Sequence, residues 1–327
     1  MHIKAFIAVF VPMCAAFFLF YRNSYQLVPQ ATLRTAFIYA VALTAAAFIV
    51  PIQPLIMMLA AGLLFLSRDR ALQGLPFLML MFFLIPPVGF NVGVPGLIGS
   101  IMSLHWLNFL VLLVVVAYGL MKTRLVEEAG GANWPLALQA AGAGASAQSE
   151  ADSGFRLGRA ARSLEVWVLL YCGLLIALEF AREGFTGGLR GGFDVLCVSY
   201  FPYWIATRLV RTPSDMKNSL AFLLIAITVA AAVGWLEGVL RWHPYTDVAR
   251  SFGAQADSFL YSDRGGVLRS YASLGKPLVY GACLCVGVSC WALLMSHKRT
   301  LMSWGVLGLL LGALFFSGAR GGWVGAV

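Results

Sequence analysis

The chain has 327 residues, of which 60% are hydrophobic and only 11% are charged, and its formal net charge is +9. A soluble domain has about 45–50% apolar and about 25% charged residues, so this composition excludes a soluble globular protein and predicts a polytopic membrane protein. The positive charge is typical of the cytoplasmic loops of membrane proteins, and we do not interpret it as a nucleic-acid footprint.

Apolar runs follow one another along most of the chain. A membrane-spanning helix needs roughly 20 mostly apolar residues, which predicts an all-α fold, a polytopic bundle of about ten transmembrane helices, over residues 5–21, 33–50, 52–66, 75–92, 98–121, 165–181, 192–210, 218–239, 277–296 and 300–318. The second and third runs meet at Pro51 and form either a tight hairpin or a broken helix. The first run lacks a clear cleavage site, and we interpret it as an anchor.

Short basic connections predict the orientation. They are "SRDR" (67–70), "KTR" (122–124), "RTPSDMK" (211–217) and "HKR" (297–299). An even number of predicted spans separates each connection from the next, so all four lie on one side, which the positive-inside rule assigns to the cytoplasm. The N-terminus is then predicted to lie outside.

The predicted spans fall into two groups. Residues 1–124 carry the N-terminal transmembrane helices, and residues 165–327 carry the others. Between them, residues 125–164 include "AAGAGASAQSEADSG", whose small and polar composition predicts a flexible cytoplasmic linker. The glycines of this linker are not followed by Gly-Lys-Ser/Thr, which argues against a phosphate-binding P-loop.

Basic residues also gather on the predicted outer face, where the orientation rule disfavours them. They lie in the connection 182–191, in the longer loop 239–276 and after the last span, and they are Arg182, Arg190, Arg241, Arg250, Arg264, Arg269, Lys276 and Arg320. Cations on this side indicate an anionic ligand. Two carboxylates near the outer ends of spans, Glu179 and Glu237, are either functional or extend to the headgroups.

The stretch "LRSYASLGKPLVYGACL", residues 268–284, combines an arginine with a helix start. Pro277 suits the first turn of a helix, because its missing N–H would be unpaired there anyway. Gly275 and Gly281 allow a backbone or a ligand to come close. The free N–H groups of this helix start form an anion site beside Lys276.

This stretch and the later "SGARGGW" resemble two motifs of the O-antigen ligase and O-antigen polymerase superfamily of bacterial membrane glycosyltransferases. The first motif is an arginine before a Gly-x-Pro turn that opens a helix, and the second is Ser-Arg-Gly-x-Trp at the outer end of a later helix. The matching residues are Arg269, Gly275, Pro277, Gly281, Arg320, Gly321 and Trp323. The similarity covers roughly residues 190–327, with Ala319 and Lys276 departing from the family pattern.

The resemblance implies a GT-C-like fold in the bacterial inner membrane and an active site on the periplasmic face. It implies transfer of a glycan from undecaprenyl diphosphate to an acceptor glycan, either lipid A–core or a growing polysaccharide, without cofactor or metal. Membrane lipids are the other expected partners, and nucleic acid is not. The family continues after the second motif with a periplasmic loop that carries a histidine, so the resemblance also implies a C-terminally truncated sequence.

The residue types agree with this chemistry. Arg269 and Arg320 are the candidate catalytic residues, since guanidinium groups stabilise the charge that develops on a leaving diphosphate. The candidate substrate-binding residues are Lys276, Arg264, Arg241, His243, Gly275, Pro277 and Trp323. For the general base that an acceptor hydroxyl needs, the sequence offers His243, Asp257 and Asp263.

Other interpretations stay open. Arg320 can be a helix-end anchor, Arg269 an ordinary loop charge, Arg264 a partner of Asp263, and the "RWHP" segment that holds Arg241 and His243 an interfacial anchor. A transporter or a flippase for lipid-linked oligosaccharides has the same composition, although no internal repeat is evident. A non-catalytic membrane subunit of a polysaccharide export system is a third possibility.

Overall fold

A computed structural model describes residues 2–23, 27–49, 53–66, 72, 74–85, 89–92, 102–105, 108–118, 149–210, 213–251, 263–264, 267–295 and 300–319. Helices make up most of this part. The strands are short: β1 (Gly89–Val92) pairs with β2 (Met102–His105), and β3 (Asp263–Arg264) pairs with β4 (Val267–Leu268) in an antiparallel ribbon. The predicted helical membrane architecture is confirmed at this level.

The helices are α1 (His2–Asn23), α2 (Gln30–Ile49), α3 (Gln53–Leu66), α4 (Leu75–Leu84), α5 (Asn108–Tyr118), α6 (Ser149–Val195), α7 (Phe201–Leu209), α8 (Pro213–Leu240), α9 (Pro244–Ser251), α10 (Pro277–Met295) and α11 (Leu301–Ser317). A π-helical turn, Leu196–Tyr200, joins α6 to α7, and a 3-10 turn, Ala272–Leu274, precedes α10.

Five helical stretches in the described part are long and apolar enough to cross a membrane. They are Ile3–Arg22, Gln30–Ile49, Leu164–Leu209, Pro213–Leu240 and Pro277–Met295, and four shorter apolar helices accompany them: Leu55–Phe65, Leu75–Leu84, Asn108–Tyr118 and Leu301–Ser317. This pattern is that of a multi-pass membrane protein.

Two predicted spans are shorter in the structure than the apolar runs that predicted them. The run 75–92 gives α4 only as far as Leu84, and strand β1 follows. Pro86 and Pro87 explain this end, because a proline disfavours helical backbone at the residue before it and cannot donate an N–H. The run 98–121 contains strand β2 before α5 begins at Asn108. Hydropathy alone does not distinguish these β-segments from helix.

The predicted linker needs a correction at its C-terminal end. Helix α6 begins at Ser149, so residues 149–164 are helical, while 125–148 lie outside the described residues.

The chain folds into two compact units, whose boundaries differ from the predicted groups. The first unit contains Met1–Phe90, Leu104–Leu110 and Ala206–Val327, and the second contains Asn91–Ser103 and Val111–Ile205. In the first unit, α8 is the central helix and packs against α1, α4, α10 and α11. The first four helices therefore share a core with the last four, because only the neighbours together enclose the apolar surface of α8.

The second unit contains a helical hairpin within α6. Gly184 has φ 73° and ψ −170°, a conformation open to glycine, and the helix reverses there. After the reversal, an added Cβ on Gly188 would lie 2.7 Å from Cα of Phe180, and one on Gly192 would lie 3.2 Å from the Ile176 side chain. Small residues thus bring the two arms into backbone contact, as is usual between membrane helices. This reversal agrees with the predicted separate spans 165–181 and 192–210.

Candidate functional site

Four chain segments meet at one end of the first unit: the C-terminal end of α8, the segment 268–276, the start of α10 and the C-terminal end of α11. The hydrogen bonds between them join Glu237 to the turn at Tyr271 and Ala272, and Arg269 and Ser270 to the last residues of α11. The sequence predicted loop 239–276 and the end of the last span on the same face of the membrane.

The end of α11 is fixed by its own sequence. Gly318 has φ 60° and ψ 17°, the left-handed conformation in which helices commonly end at glycine, and its N–H donates to the Phe315 carbonyl. The Ser317 hydroxyl donates to the Leu314 carbonyl and accepts the N–H of Ala319. This cap sets the backbone immediately before Arg320.

Arg269 lies against that cap. Its Nε donates to the carbonyl of Ser317 at 3.1 Å, and the neighbouring N–H of Ser270 donates to the carbonyl of Phe316 at 3.0 Å. A cation is stabilised at a helix C-terminus by the helix dipole. Within the described part of the chain, the terminal guanidinium nitrogens of Arg269 have no further hydrogen-bond partner. Nε thus holds the side chain, and the terminal nitrogens are the groups with which Arg269 can bind an anion.

The two sequence motifs also touch through Gly281. A Cβ added at Gly281 would lie 2.6 Å from the Cβ of Ala319 and 3.4 Å from the Ser317 hydroxyl. Gly281 of α10 is therefore required for close approach of the segment that leads to Arg320. The sequence predicted a close approach at this glycine, and the partners are the Ala319 and Ser317 side chains of the second motif.

The start of α10 has the predicted form. Gly275 ends the 3-10 turn with φ 71°, Pro277 is the first helical residue, and the N–H of Tyr280 donates to the carbonyl of Lys276. The N–H groups before Tyr280 have no partner within the helix, which makes a helix start attractive to anions. Lys276 is exposed beside them. We call Arg269, Lys276 and the first turn of α10 the Arg269 site.

Glu237 lies behind this site and is fully buried. Its Oε2 accepts the N–H of Tyr271 at 3.0 Å and the N–H of Ala272 at 2.9 Å. Ala272 has φ 47°, which is uncommon for a residue with a side chain. The carboxylate therefore holds a strained turn in place. The sequence left open whether Glu237 is functional or extends to the headgroups, and its burial excludes the second.

His243, which the sequence predicted to bind substrate, is fully buried as well. Its Nδ1 lies 3.2 Å from Oε2 of Glu237, and its ring stacks on Tyr271 with centroids 4.0 Å apart. The imidazole packs against the Tyr271 ring and lies beside the Glu237 carboxylate.

Buried hydroxyl groups attach the same region to α4. The Tyr245 hydroxyl donates to the Leu84 carbonyl at 3.2 Å, and the Ser273 hydroxyl donates to the Phe83 carbonyl at 2.7 Å. Burial raises the pKa of Tyr245, and the nearby charge of Glu237 raises it further. Tyr245 and Ser273 were not predicted as part of the site. The feature of the sequence that could have indicated them is a hydroxyl side chain next to an otherwise apolar turn.

The remaining predicted residues are placed less fully. Arg241 is exposed and directly follows the last residue of α8, with φ 51°. Arg264 belongs to strand β3, and its side chain lies outside the described residues, as do Arg320 and Trp323 altogether. Among the described residues, no three His, Cys, Asp or Glu side chains lie close enough to share a metal ion.

The fold and the site together define a helical, multi-pass membrane protein with a basic group at one end of its bundle. No known protein family, no curated protein and no solved structure matches the chain.

Proposed function

We propose that the protein is a membrane glycan transferase that moves a saccharide from undecaprenyl diphosphate to an acceptor sugar, in the manner of an O-antigen ligase or polymerase. The observation that carries this proposal is the hydrogen bond from Arg269 Nε to the carbonyl of Ser317. It brings together the two sequence segments that resemble the superfamily motifs, and both were predicted on the outer face.

The geometry supports the recognition of a diphosphate. Arg269 presents its terminal nitrogens, Lys276 adds an exposed ammonium group, and the start of α10 adds backbone N–H groups. Guanidinium and backbone N–H groups both bind phosphate oxygens, the first in a bidentate manner. Gly318 keeps this region open beside Arg269, because a Cβ there would lie 3.3 Å from Nε.

The reaction places charge where these groups lie. The acceptor hydroxyl oxygen forms a bond to the anomeric carbon of the donor sugar, and the bond between that carbon and the diphosphate oxygen breaks. The hydroxyl proton passes to a base, and the bonding electrons leave with the diphosphate. Cations fixed in advance stabilise this leaving group more in the transition state than in the ground state, which is how they accelerate the step.

A proton-coupled transporter for a lipid-linked glycan is the second candidate, favoured by the buried pair Glu237 and His243. Buried carboxylates and histidines form proton relays in many transporters. The two candidates differ in what a protonophore does. Transfer of a glycan from an outer-leaflet donor does not require a proton gradient, whereas proton-coupled transport stops when the gradient collapses.

Complementation of a deletion strain tests the proposal. We expect wild type to restore the amount and length distribution of the surface glycan, and Arg269→Lys and Arg320→Lys to restore none, although both variants insert normally. Lysine keeps the charge and loses the bidentate fork. Arg208→Lys, in the last turn of α7, is the matched control and should complement. If Arg269→Lys and Arg320→Lys both restore the wild-type glycan, the proposal fails.

A further inference from the structure

Glu237 is distant in sequence from the residues of the Arg269 site. Its buried carboxylate nevertheless makes its two shortest contacts with the backbone that leads from Arg269 to α10. Tyr271 and Ala272, whose N–H groups it accepts, directly follow Arg269 and Ser270. We propose that Glu237 is a positioning residue for the Arg269 site: its Oε2 fixes the turn, and the turn sets the guanidinium and the start of α10.

The backbone of the turn is strained. Ala272 adopts φ 47°, where an alanine is disfavoured by contact of its Cβ with the backbone. A conformation of this kind persists only where surrounding contacts determine it. The two N–H bonds to one carboxylate oxygen are such contacts, and they are strong because the acceptor carries charge.

The turn is connected to Arg269 on one side and to α10 on the other. Before it, Ser270 donates its hydroxyl to the Gly234 carbonyl at 2.7 Å and its N–H to the Phe316 carbonyl at 3.0 Å. After it, Gly275 reverses the chain into Pro277. A shift of the turn therefore moves Arg269 relative to α11 and moves the first N–H groups of α10 at the same time.

The charge of Glu237 would by itself have the opposite effect on anion binding. Glu237 is negative and lies behind a site proposed to bind an anion, so by Coulomb's law alone its removal should strengthen anion binding. A positioning role predicts the opposite when the acceptor oxygen is lost. His243 Nδ1, at 3.2 Å from Oε2, lies beside the carboxylate without replacing its two backbone hydrogen bonds.

Two substitutions of equal charge separate the effect of the lost negative charge from the effect of the lost acceptor oxygen. Glu237→Gln and Glu237→Met both remove the negative charge and keep the length of the side chain, but only glutamine retains an oxygen that accepts the two N–H groups. The probe is farnesyl diphosphate, whose binding to the purified full chain in detergent is measured by thermophoresis. Inorganic pyrophosphate serves as a second probe, to distinguish a site for lipid diphosphates from one for free diphosphate.

This inference rests on the proposed function. We expect Glu237→Gln to bind farnesyl diphosphate within about threefold of wild type, and Glu237→Met to bind at least tenfold more weakly. Glu183→Gln, which removes an exposed carboxylate in the second unit, is the control and should bind like wild type. Glu237→Asp replaces the methionine variant if that one does not fold. It keeps the charge but withdraws the oxygens from the turn, so it should also bind at least tenfold more weakly.

The outcomes are distinct. If wild type binds the probe, Arg269→Gln does not, and Glu237→Met binds as tightly as Glu237→Gln, the positioning role is wrong while the proposed function stands. Equal weakening of the glutamine and methionine variants also overturns it, because the oxygen that accepts the two N–H groups would then make no difference to binding. If wild type binds neither farnesyl diphosphate nor pyrophosphate, the proposed function fails and this inference fails with it.

Discussion

Substitution of Gly281 by alanine should disrupt the contact between α10 and the segment 317–319. In the structure, an added Cβ would lie 2.6 Å from the Cβ of Ala319. Two carbon atoms attract best at roughly 3.5–4.0 Å, so α10 and the segment 317–319 must separate by about 1 Å. Overpacking of this kind costs about 1–3 kcal/mol.

Helix propensity acts in the opposite direction and has to be separated from this cost. Alanine is better than glycine in a helix interior by about 1 kcal/mol, so Gly281→Ala alone should lower the free energy of unfolding by only about 0–2 kcal/mol. Gly308→Ala in α11 is the matched control, because no atom lies within 4 Å of its added Cβ. Relative to this control, Gly281→Ala should be less stable by about 1–3 kcal/mol.

The assay is reversible unfolding of the purified protein in mixed micelles, followed by circular dichroism. Glycan transfer in the deletion strain is measured beside it, and we expect Gly281→Ala to lose transfer while Gly308→Ala keeps it, because only the first displaces the backbone that leads to Arg320. Equal unfolding free energies for the two variants, with full transfer by both, would refute the packing of the two motifs against each other.

Two further predictions concern the cap of α11 and the attachment to α4. Gly318→Ala should cost about 1–2 kcal/mol of stability, because alanine is disfavoured at φ 60°, and Gly308→Ala is again the comparison in the same unfolding measurement. Tyr245→Phe should cost about 1 kcal/mol through the lost bond to Leu84. Since the pKa of Tyr245 is raised, wild type should lose stability as the pH rises above about 10. Unfolding titrations should show a smaller loss for Tyr245→Phe, and parallel curves would contradict the burial of this hydroxyl.

Much of the site could be predicted from local sequence signals. Pro277 strongly favours the first turn of a helix, so the helix start was expected, and it is present. The left-handed conformation of Gly275 was not predicted. The alternating spans also placed the segments around Arg269 and Ser317 at one end of the bundle, because each helix reverses the direction of the chain. These are properties of short segments and of their order.

The contacts that shape the site could not be predicted in this way. The bonds of Glu237 go to backbone N–H groups 34 and 35 residues away, and a backbone N–H has no sequence signature. The burial of His243 depends on the same carboxylate and on Tyr271. The helix over residues 149–164 was not predicted for a different reason, since the composition of this segment is too polar to give an apolar helical pattern.

The most direct test of the central claim is release of undecaprenyl diphosphate by the protein itself. Purified full chain is incubated in lipid nanodiscs with a carrier-linked glycan and an acceptor, and free undecaprenyl diphosphate is quantified by mass spectrometry. We expect wild type to release it in proportion to the glycan transferred, and Arg269→Lys to release at least a hundredfold less, a loss of about 2.7 kcal/mol in transition-state stabilisation. Release by Arg269→Lys at the wild-type rate would contradict the account.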